Sequence, residues 1–349
     1  METLVVGDKF IGASLYTRAI AEQFGDEFGP VRTVDWAGEK SLQHETQQVM
    51  ETRGPNAVAP PEELLAAIPG AEALCLHFAP VGETVLAAAD ALRIVAVART
   101  GLENVDVHAA TTWGVGVVPV YGRNAGAVAE LQIGLMLAEA RNIARADASV
   151  KAGGWRKDFP GARIEIAGRT VGMVGFGHVG MRFASRLAGF GCELLAYDPY
   201  AGDDLLAAHQ VQRASTLDDV FRESHFVVVQ ARHSAETDRF IGADQLALMK
   251  PDAYFVNVSR SRVVDTAALY TALAEGRIAG AGLDVYDAEP LPADSPWRAL
   301  DNVTLTTHFG GDTEETGTTS TLLVARILAE YAETGRVRGA VNAEALGWT

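Results

Sequence analysis

The segment VGMVGFGHVG (171–180) constrains this 349-residue chain more than any other. It carries Gly175, Gly177 and Gly180 as G-x-G-x-x-G, a spacing that a chain with 35 glycines can produce by chance, so its surroundings decide what it means. The apolar run RTVGMVG (169–175) reads as a strand leading into it. Phe183, Leu187 and Phe190 follow at i, i+4 and i+7, one face of a helix. The next strand, ELLAYD (193–198), ends in Asp198, about 20 residues past the last glycine, which is the spacing of a dinucleotide-binding βαβ unit. Gly175 permits the tight turn, Gly177 lets backbone approach a pyrophosphate, and Gly180 lets the helix pack on the strand. His178 and Val179 open that helix, where free N–H groups and the positive dipole end favour phosphate. Asp198 can accept hydrogen bonds from both ribose hydroxyls and repels a 2′-phosphate. The expected cofactor is therefore NAD rather than NADP.

The rest of the chain repeats the strand–helix rhythm. Before the glycine segment, TLVVG (3–7), VRTVDW (31–36), ALCLHF (73–78), RIVAVAR (93–99) and VGVVPV (115–120) read as strands. After it come HFVVVQ (225–230), AYFVNV (253–258), IAGAGLDV (278–285) and NVTLTTH (302–308), then a helix over 316–335. Such alternation predicts parallel sheets covered by helices on both faces. Residues 40–62 are polar and contain proline, so they read as a loop excursion. Residues 123–145 read as one long helix, apolar around most of its middle, which predicts burial on more than one side and a homodimer built on it.

Composition narrows the partners. The net charge is -16, from 29 basic and 45 acidic residues, with no basic stripe, so nucleic acid is not expected. An anionic substrate must then be held by a local positive site. The two cysteines, Cys75 and Cys192, exclude a disulfide framework, and no His/Asp/Glu grouping has metal-ligand spacing, so no metal is expected. No apolar run approaches the ~18 residues of a membrane span. The opening METLVVGDKF does not read as a signal peptide, and a cytoplasmic protein is expected.

Three segments place chemistry just past strand ends in the second half, where open α/β sheets form their ligand crevice. VNVSRSRVVD (256–265) carries Arg260, LDVYDAEP (283–290) carries Glu289, and LTTHFGG (305–311) carries His308. A hydroxy acid gives up a hydroxyl proton and a hydride from the same carbon. Imidazole is the natural base for that proton. A carboxylate on its second nitrogen fixes the tautomer, and the planar fork of arginine suits a substrate carboxylate. His77 and His233 also follow strands and are the next candidates for the base.

The glycine segment followed in order by these three resembles the D-isomer-specific 2-hydroxyacid dehydrogenases, strongly over residues 90–315 and by layout alone before them. The resemblance implies two doubly wound α/β domains. A central NAD-binding Rossmann domain (119–311) would be inserted in a flavodoxin-like substrate domain made of 1–118 and 312–349. It implies Arg260 as the binder of the substrate carboxylate and oxo group, Glu289 as the residue orienting His308, and His308 as acid and base. It implies Val258, Ser259 and Asp284 beside the nicotinamide half of the cofactor. RTGLENVD (99–106) would receive the substrate carboxylate, with Arg99, Thr100 and Gly101 at its start. GRNAGAVAE (122–130) is similar to the start of the helix that commonly builds the family's dimer. Departures fall at Ser261, where the family usually has Gly, at TTH (306–308) for Thr-Pro-His, at the loop 100–103, which lacks a second glycine, and at QARHSAET (230–237). The expected activity is NAD-dependent hydride transfer to or from a small D-2-hydroxy or 2-oxo acid. A phosphorylated sugar-acid dehydrogenase, with Arg99 as support, and an NAD-sensing corepressor-like binding protein are the alternatives that the resemblance leaves open.

Overall fold

A computed structural model describes residues 1–25, 28–161 and 163–348. The chain divides into two compact units, Met1–Asn124 with Thr313–Thr349, and Ala125–Asp312.

The first unit is built on five strands: β1 (Thr3–Gly7), β2 (Val31–Asp35), β3 (Ala73–Leu76), β4 (Ile94–Val97) and β5 (Gly116–Pro119). They pair in the order β2-β1-β3-β4-β5, all parallel, which is the flavodoxin-like arrangement. The central strands ALCL and IVAV are buried along their whole length, so each face must be covered. On one face Val5, Cys75, Ala96 and Val118 pack with Tyr16, Ala19 and Ile20 of the helix Ala13–Phe24 and with Val324 and Leu328 of the helix Glu314–Thr334. On the other, Leu4, Leu74, Val95 and Val117 pack with Leu64, Ile68 and Leu86.

The second unit holds β6 (Thr170–Val174), β7 (Glu193–Tyr197), β8 (Gln212–Arg213), β9 (Phe226–Val229), β10 (Tyr254–Asn257), β11 (Gly280–Leu283) and β12 (Val303–Leu305). Their order, β12-β11-β10-β9-β6-β7-β8, with every pairing parallel, is the Rossmann arrangement extended by one strand. Strand order reverses between β6 and β9, the crevice position for a ligand in such sheets.

Two expectations are corrected. Residues 40–62 are not a loop excursion: Lys40–Arg53 is a helix of 14 residues. Its inward positions are Gln43, Gln47 and Met50, at helical spacing, but two of the three are polar and hide the period. Gln43 earns its burial by accepting from the Lys9 N–H at 2.8 Å and donating to the Trp36 carbonyl at 2.8 Å. The single helix over 123–145 is two helices, Ala125–Ala140 and Ile143–Lys151. They part at Asn142, whose φ of 54° is left-handed, a conformation asparagine tolerates better than most residues. Among the described residues, no helix is long and apolar enough to cross a membrane.

The break is held by a buried ion pair. Arg145 donates to both carboxylate oxygens of Glu139, at 3.0 and 2.8 Å, and to the backbone carbonyl of Asp301, while Thr304 donates its hydroxyl to Glu139. Burial raises the Glu139 pKa against the lowering pull of Arg145 and Thr304. Removing the cation strands a buried carboxylate. Arg145→Leu should therefore cost about 3–5 kcal/mol in denaturant melts. Glu139 ionises with difficulty in the fold, so stability is present when it is protonated and lost as pH rises. Part of the deficit should disappear as the melts move from about pH 8 to about pH 5. A deficit independent of pH would show that the lost packing of Arg145, not the stranded charge, is responsible.

Candidate active site

The glycine loop leaves β6 and enters the helix His178–Leu187. Gly175 has φ 97°, and a Cβ there would come 2.9 Å from the Ala231 backbone nitrogen, so only glycine fits. A Cβ at Gly180 would lie 2.8 Å from the Phe176 ring and 2.9 Å from Gln230 Oε1. Gly177 is different: nothing lies within 4 Å of its added Cβ, which leaves the open side over which a dinucleotide backbone can pass. His178 and Val179 form the first turn of the helix, with the His178 side chain exposed.

Asp198 stands just past β7. Its Oδ2 accepts from the Phe176 N–H at 2.7 Å, and its Oδ1 from the N–H groups of Tyr200 and Ala201 at 2.8 and 3.2 Å. One carboxylate thus fixes the glycine loop and the turn that follows β7, and presents acceptors beside them. The open face at Gly177, the donors of the helix start and this carboxylate fit the phosphates and ribose of NAD. Bound there, the cofactor supplies a hydride donor or acceptor.

Past β11 and β12, His308 Nδ1 lies 2.6 Å from Glu289 Oε2. The other Glu289 oxygen accepts from the Tyr286 N–H at 2.9 Å, so the carboxylate cannot swing away. Burial alone would raise the Glu289 pKa. The hydrogen bonds from His308 and Tyr286, with the charges of His308 and Arg260, bring it below the usual value. The His308 backbone has φ 56°, which a residue with a side chain adopts only when its neighbours impose it. The fully buried Asp284 does so: it accepts from the N–H groups of Phe309 and Gly310, at 3.2 and 3.0 Å, and from the Thr306 hydroxyl at 2.6 Å. Asp284 thereby shapes the loop that carries the imidazole.

Arg260 follows β10 and is exposed, close enough for its charge to act on Glu289. Its turn is organised by Asn257, which accepts from the N–H and hydroxyl of Ser259, at 3.0 and 2.9 Å, and donates to the Arg260 carbonyl at 3.1 Å. Val258 is buried and packs against Gly310, where a Cβ would lie 2.7 Å from it. Sequence reasoning missed Asn257 and Tyr286. The first is a polar residue ending an apolar strand. The second donates its hydroxyl to the carbonyls of Leu283 and Thr306, at 2.9 and 2.7 Å, and ties the two loops together.

The structure therefore brings Arg260, Glu289 and His308 together on one sheet edge. His233, the reserve candidate, is paired instead with Asp238 at 2.7 Å, which Arg262 also holds. His77 is buried in the other unit. There, Thr100 donates to the Val120 carbonyl at 2.9 Å, and a Cβ on Gly101 would strike the Glu103 carboxylate. Arg99 is held by Glu103 at 3.1 Å and Glu51 at 3.8 Å, above the Phe78 ring. Among the described residues, no group of His, Cys, Asp and Glu side chains could hold a metal ion.

Comparison with known proteins gives the family and the fold. Residues 133–310 match the family model "D-isomer specific 2-hydroxyacid dehydrogenase, NAD binding domain". The chain is 38% identical to the D-3-phosphoglycerate dehydrogenase of Methanocaldococcus jannaschii over 80% of its own length and 53% of that protein, so it spans about half of that relative. It is 38% identical to the hydroxypyruvate reductase of Thermotoga maritima, over 73% of this chain and 82% of that one. Among solved structures, an NAD-complexed D-isomer-specific 2-hydroxyacid dehydrogenase from Lactobacillus delbrueckii ssp. bulgaricus superposes with a TM-score of 0.76 at 21% identity, covering 98% of this chain and all of that one.

Asp198 clamps the glycine loop, and if its carboxylate also meets the ribose hydroxyls, Asp198→Ala should weaken NADH binding by about 10- to 100-fold, the range for losing hydrogen bonds to a charged group. It should also narrow the preference over NADPH. Fluorescence titration of both cofactors checks this. Wild-type protein binding NADPH as tightly as NADH would overturn it.

Proposed function

Because the chain belongs to the D-isomer-specific 2-hydroxyacid dehydrogenase family, we propose that it transfers a hydride between NAD and carbon 2 of a small D-2-hydroxy acid or its 2-oxo counterpart. The observation that carries this reading is the His308–Glu289 pair, 2.6 Å apart on a loop held in a strained conformation beside Arg260. We assign the cofactor to unit Ala125–Asp312 and the carboxylate-receiving loop at Arg99, Thr100 and Gly101 to the other unit.

In the oxidative direction His308 Nε2 takes the proton of the substrate hydroxyl as the C2 hydride departs. Glu289 keeps the proton of Nδ1 in place and stabilises the imidazolium. Arg260 pairs with the substrate carboxylate and orients the carbon. In reduction the same imidazolium returns its proton to the carbonyl oxygen.

Supporting a homodimer, the surface after the Asn142 break carries half-exposed Ile143 and Val150, and Trp155 is 76% exposed. Such an apolar row is what a second copy would cover. Light scattering should give about twice the chain mass of 37.0 kDa, and a stable monomer at micromolar concentration would count against this. We place the protein in the cytoplasm, consistent with two cysteines left as free thiols.

The mechanism is tested by the acid–base pair itself. His308→Ala should lower turnover by about 10²–10⁴ with little change in NADH affinity. Glu289 favours its ionised form when His308 is protonated, so by reciprocity Glu289→Gln should move the alkaline limb of reduction to lower pH. Arg260→Ala should mainly raise KM for the acid. An unmoved alkaline limb in Glu289→Gln would separate Glu289 from His308, and near-normal turnover of His308→Ala would remove His308 as the base.

A further inference from the structure

The outer edge of the seven-stranded sheet carries a side chain that the proposed chemistry leaves unused. β8 is two residues long, and Arg213 on it pairs with Ala196 of β7, two residues before Asp198. From there its guanidinium reaches back to the turn that leaves β7. Nη1 donates to the Asp198 carbonyl at 3.1 Å, Nη2 donates to the Ala201 carbonyl, and Nε donates to the Asp203 carboxylate.

The turn needs such a hold. Pro199, Tyr200 and Gly202 are exposed, Tyr200 at 92%, so apolar burial contributes little to its shape. Its order rests on two sets of hydrogen bonds. In the first, the N–H groups of Tyr200 and Ala201 donate to Asp198 Oδ1 at 2.8 and 3.2 Å, while Asp198 Oδ2 accepts from the Phe176 N–H of the glycine loop at 2.7 Å. In the second, Arg213 takes the carbonyls of Asp198 and Ala201. Ala201 is thus held at both ends, its N–H by the aspartate and its carbonyl by the arginine. A planar guanidinium suits this task, because its donors diverge in fixed directions. Asp203, exposed at the start of the short helix Asp203–Ala208, engages the remaining side of the fork. Without Arg213 the peptide groups of the turn are free to rotate, and Asp198 Oδ1 loses the donors that aim it.

We propose that Arg213 is a positioning residue for the cofactor: it holds the turn after β7 and so fixes the Asp198 carboxylate for the ribose, without touching the dinucleotide. The proposal rests on the reading of Asp198 as the ribose acceptor and adds the residue that aims it. Its weight falls on binding rather than on folding. An exposed ion pair such as Arg213–Asp203 adds little to global stability, whereas a carboxylate that must meet a hydroxyl at hydrogen-bond distance tolerates little displacement.

The test is fluorescence titration of NADH, with ADP as a competitor that carries the same ribose. Arg213→Leu should raise the Kd of NADH by about 3- to 10-fold, the value of roughly one hydrogen bond. ADP should lose the same factor. Arg213→Lys keeps the charge and lacks the fork, so it should lose nearly as much. The melting temperature of Arg213→Leu should fall by about 4 °C at most. The deciding measurement is a double-mutant cycle. If Arg213 acts through Asp198, adding Arg213→Leu to Asp198→Ala should change NADH binding by less than about two-fold. A loss that adds in full would mean that Arg213 meets the cofactor directly or distorts the unit generally, and would overturn the proposal. So would an NADH Kd unmoved in Arg213→Leu, full binding restored by Arg213→Lys, unmoved ADP binding, or a much larger fall in melting temperature. If Asp198→Ala itself binds NADH as wild type does, the ribose reading of Asp198 fails, and the positioning role falls with it. If Asp198→Ala weakens NADH and Arg213→Leu does not, the positioning role alone fails.

Discussion

Three carboxylates, each the first residue past a strand, hold the loops at the edges where the parallel strands of the two sheets end. Asp8 after β1, Asp198 after β7 and Asp284 after β11 each accept at least two backbone N–H groups, and each ties its own loop to another. The physical demand is simple. Parallel strands end together, so the turns leaving them meet at one edge with unpaired N–H groups that water cannot fully reach. A carboxylate placed there satisfies several donors at once, and its charge makes each bond stronger than a neutral one. At the end of β10 the Asn257 amide organises its own turn, accepting from the Ser259 N–H and donating to the Arg260 carbonyl.

This arrangement explains how His308 and Glu289 can be held precisely on loops. His308 sits at a positive φ that its own sequence does not favour, and Glu289 on a turn beyond a strand end. Asp284 holds the backbone of the first, the Tyr286 N–H holds the carboxylate of the second, and the Tyr286 hydroxyl bridges the two carbonyl ends. Conformational cost at His308 is met by bonds to a group with no exposure, which is the kind of support that keeps a site within catalytic tolerance.

The sheet strands were legible because both of their faces are buried: runs such as FVVV and IVAV leave no other reading. That Arg260, Glu289 and His308 would lie near one another was legible because each stands just past the end of a strand in the same parallel sheet. What escaped was structure made by polar groups turned inward. The helix Lys40–Arg53 buries glutamines, so its period is absent from hydrophobicity. The break at Asn142 depends on a single dihedral, which an apolar count cannot register. The anchoring roles of Asp284, Asn257 and Tyr286 depend on partners far along the chain, and composition of a short segment carries no trace of them.

The charge balance sets the last constraint. A chain with a net charge of -16 repels an anionic dinucleotide at long range, and would repel the acid proposed as its substrate in the same way. Screening limits that repulsion to about 8 Å at physiological salt, so recognition falls to groups in contact with the ligand. The protein meets this with two kinds of donor. At the glycine loop they are neutral, the N–H groups of a helix start, which suit phosphate without a cation. For a carboxylate, whose charge is concentrated on two oxygens, the guanidinium proposed here is Arg260, exposed just past a strand end. The acidic surface then keeps the chain soluble while the positive charge is spent locally, at the edges where parallel strands end.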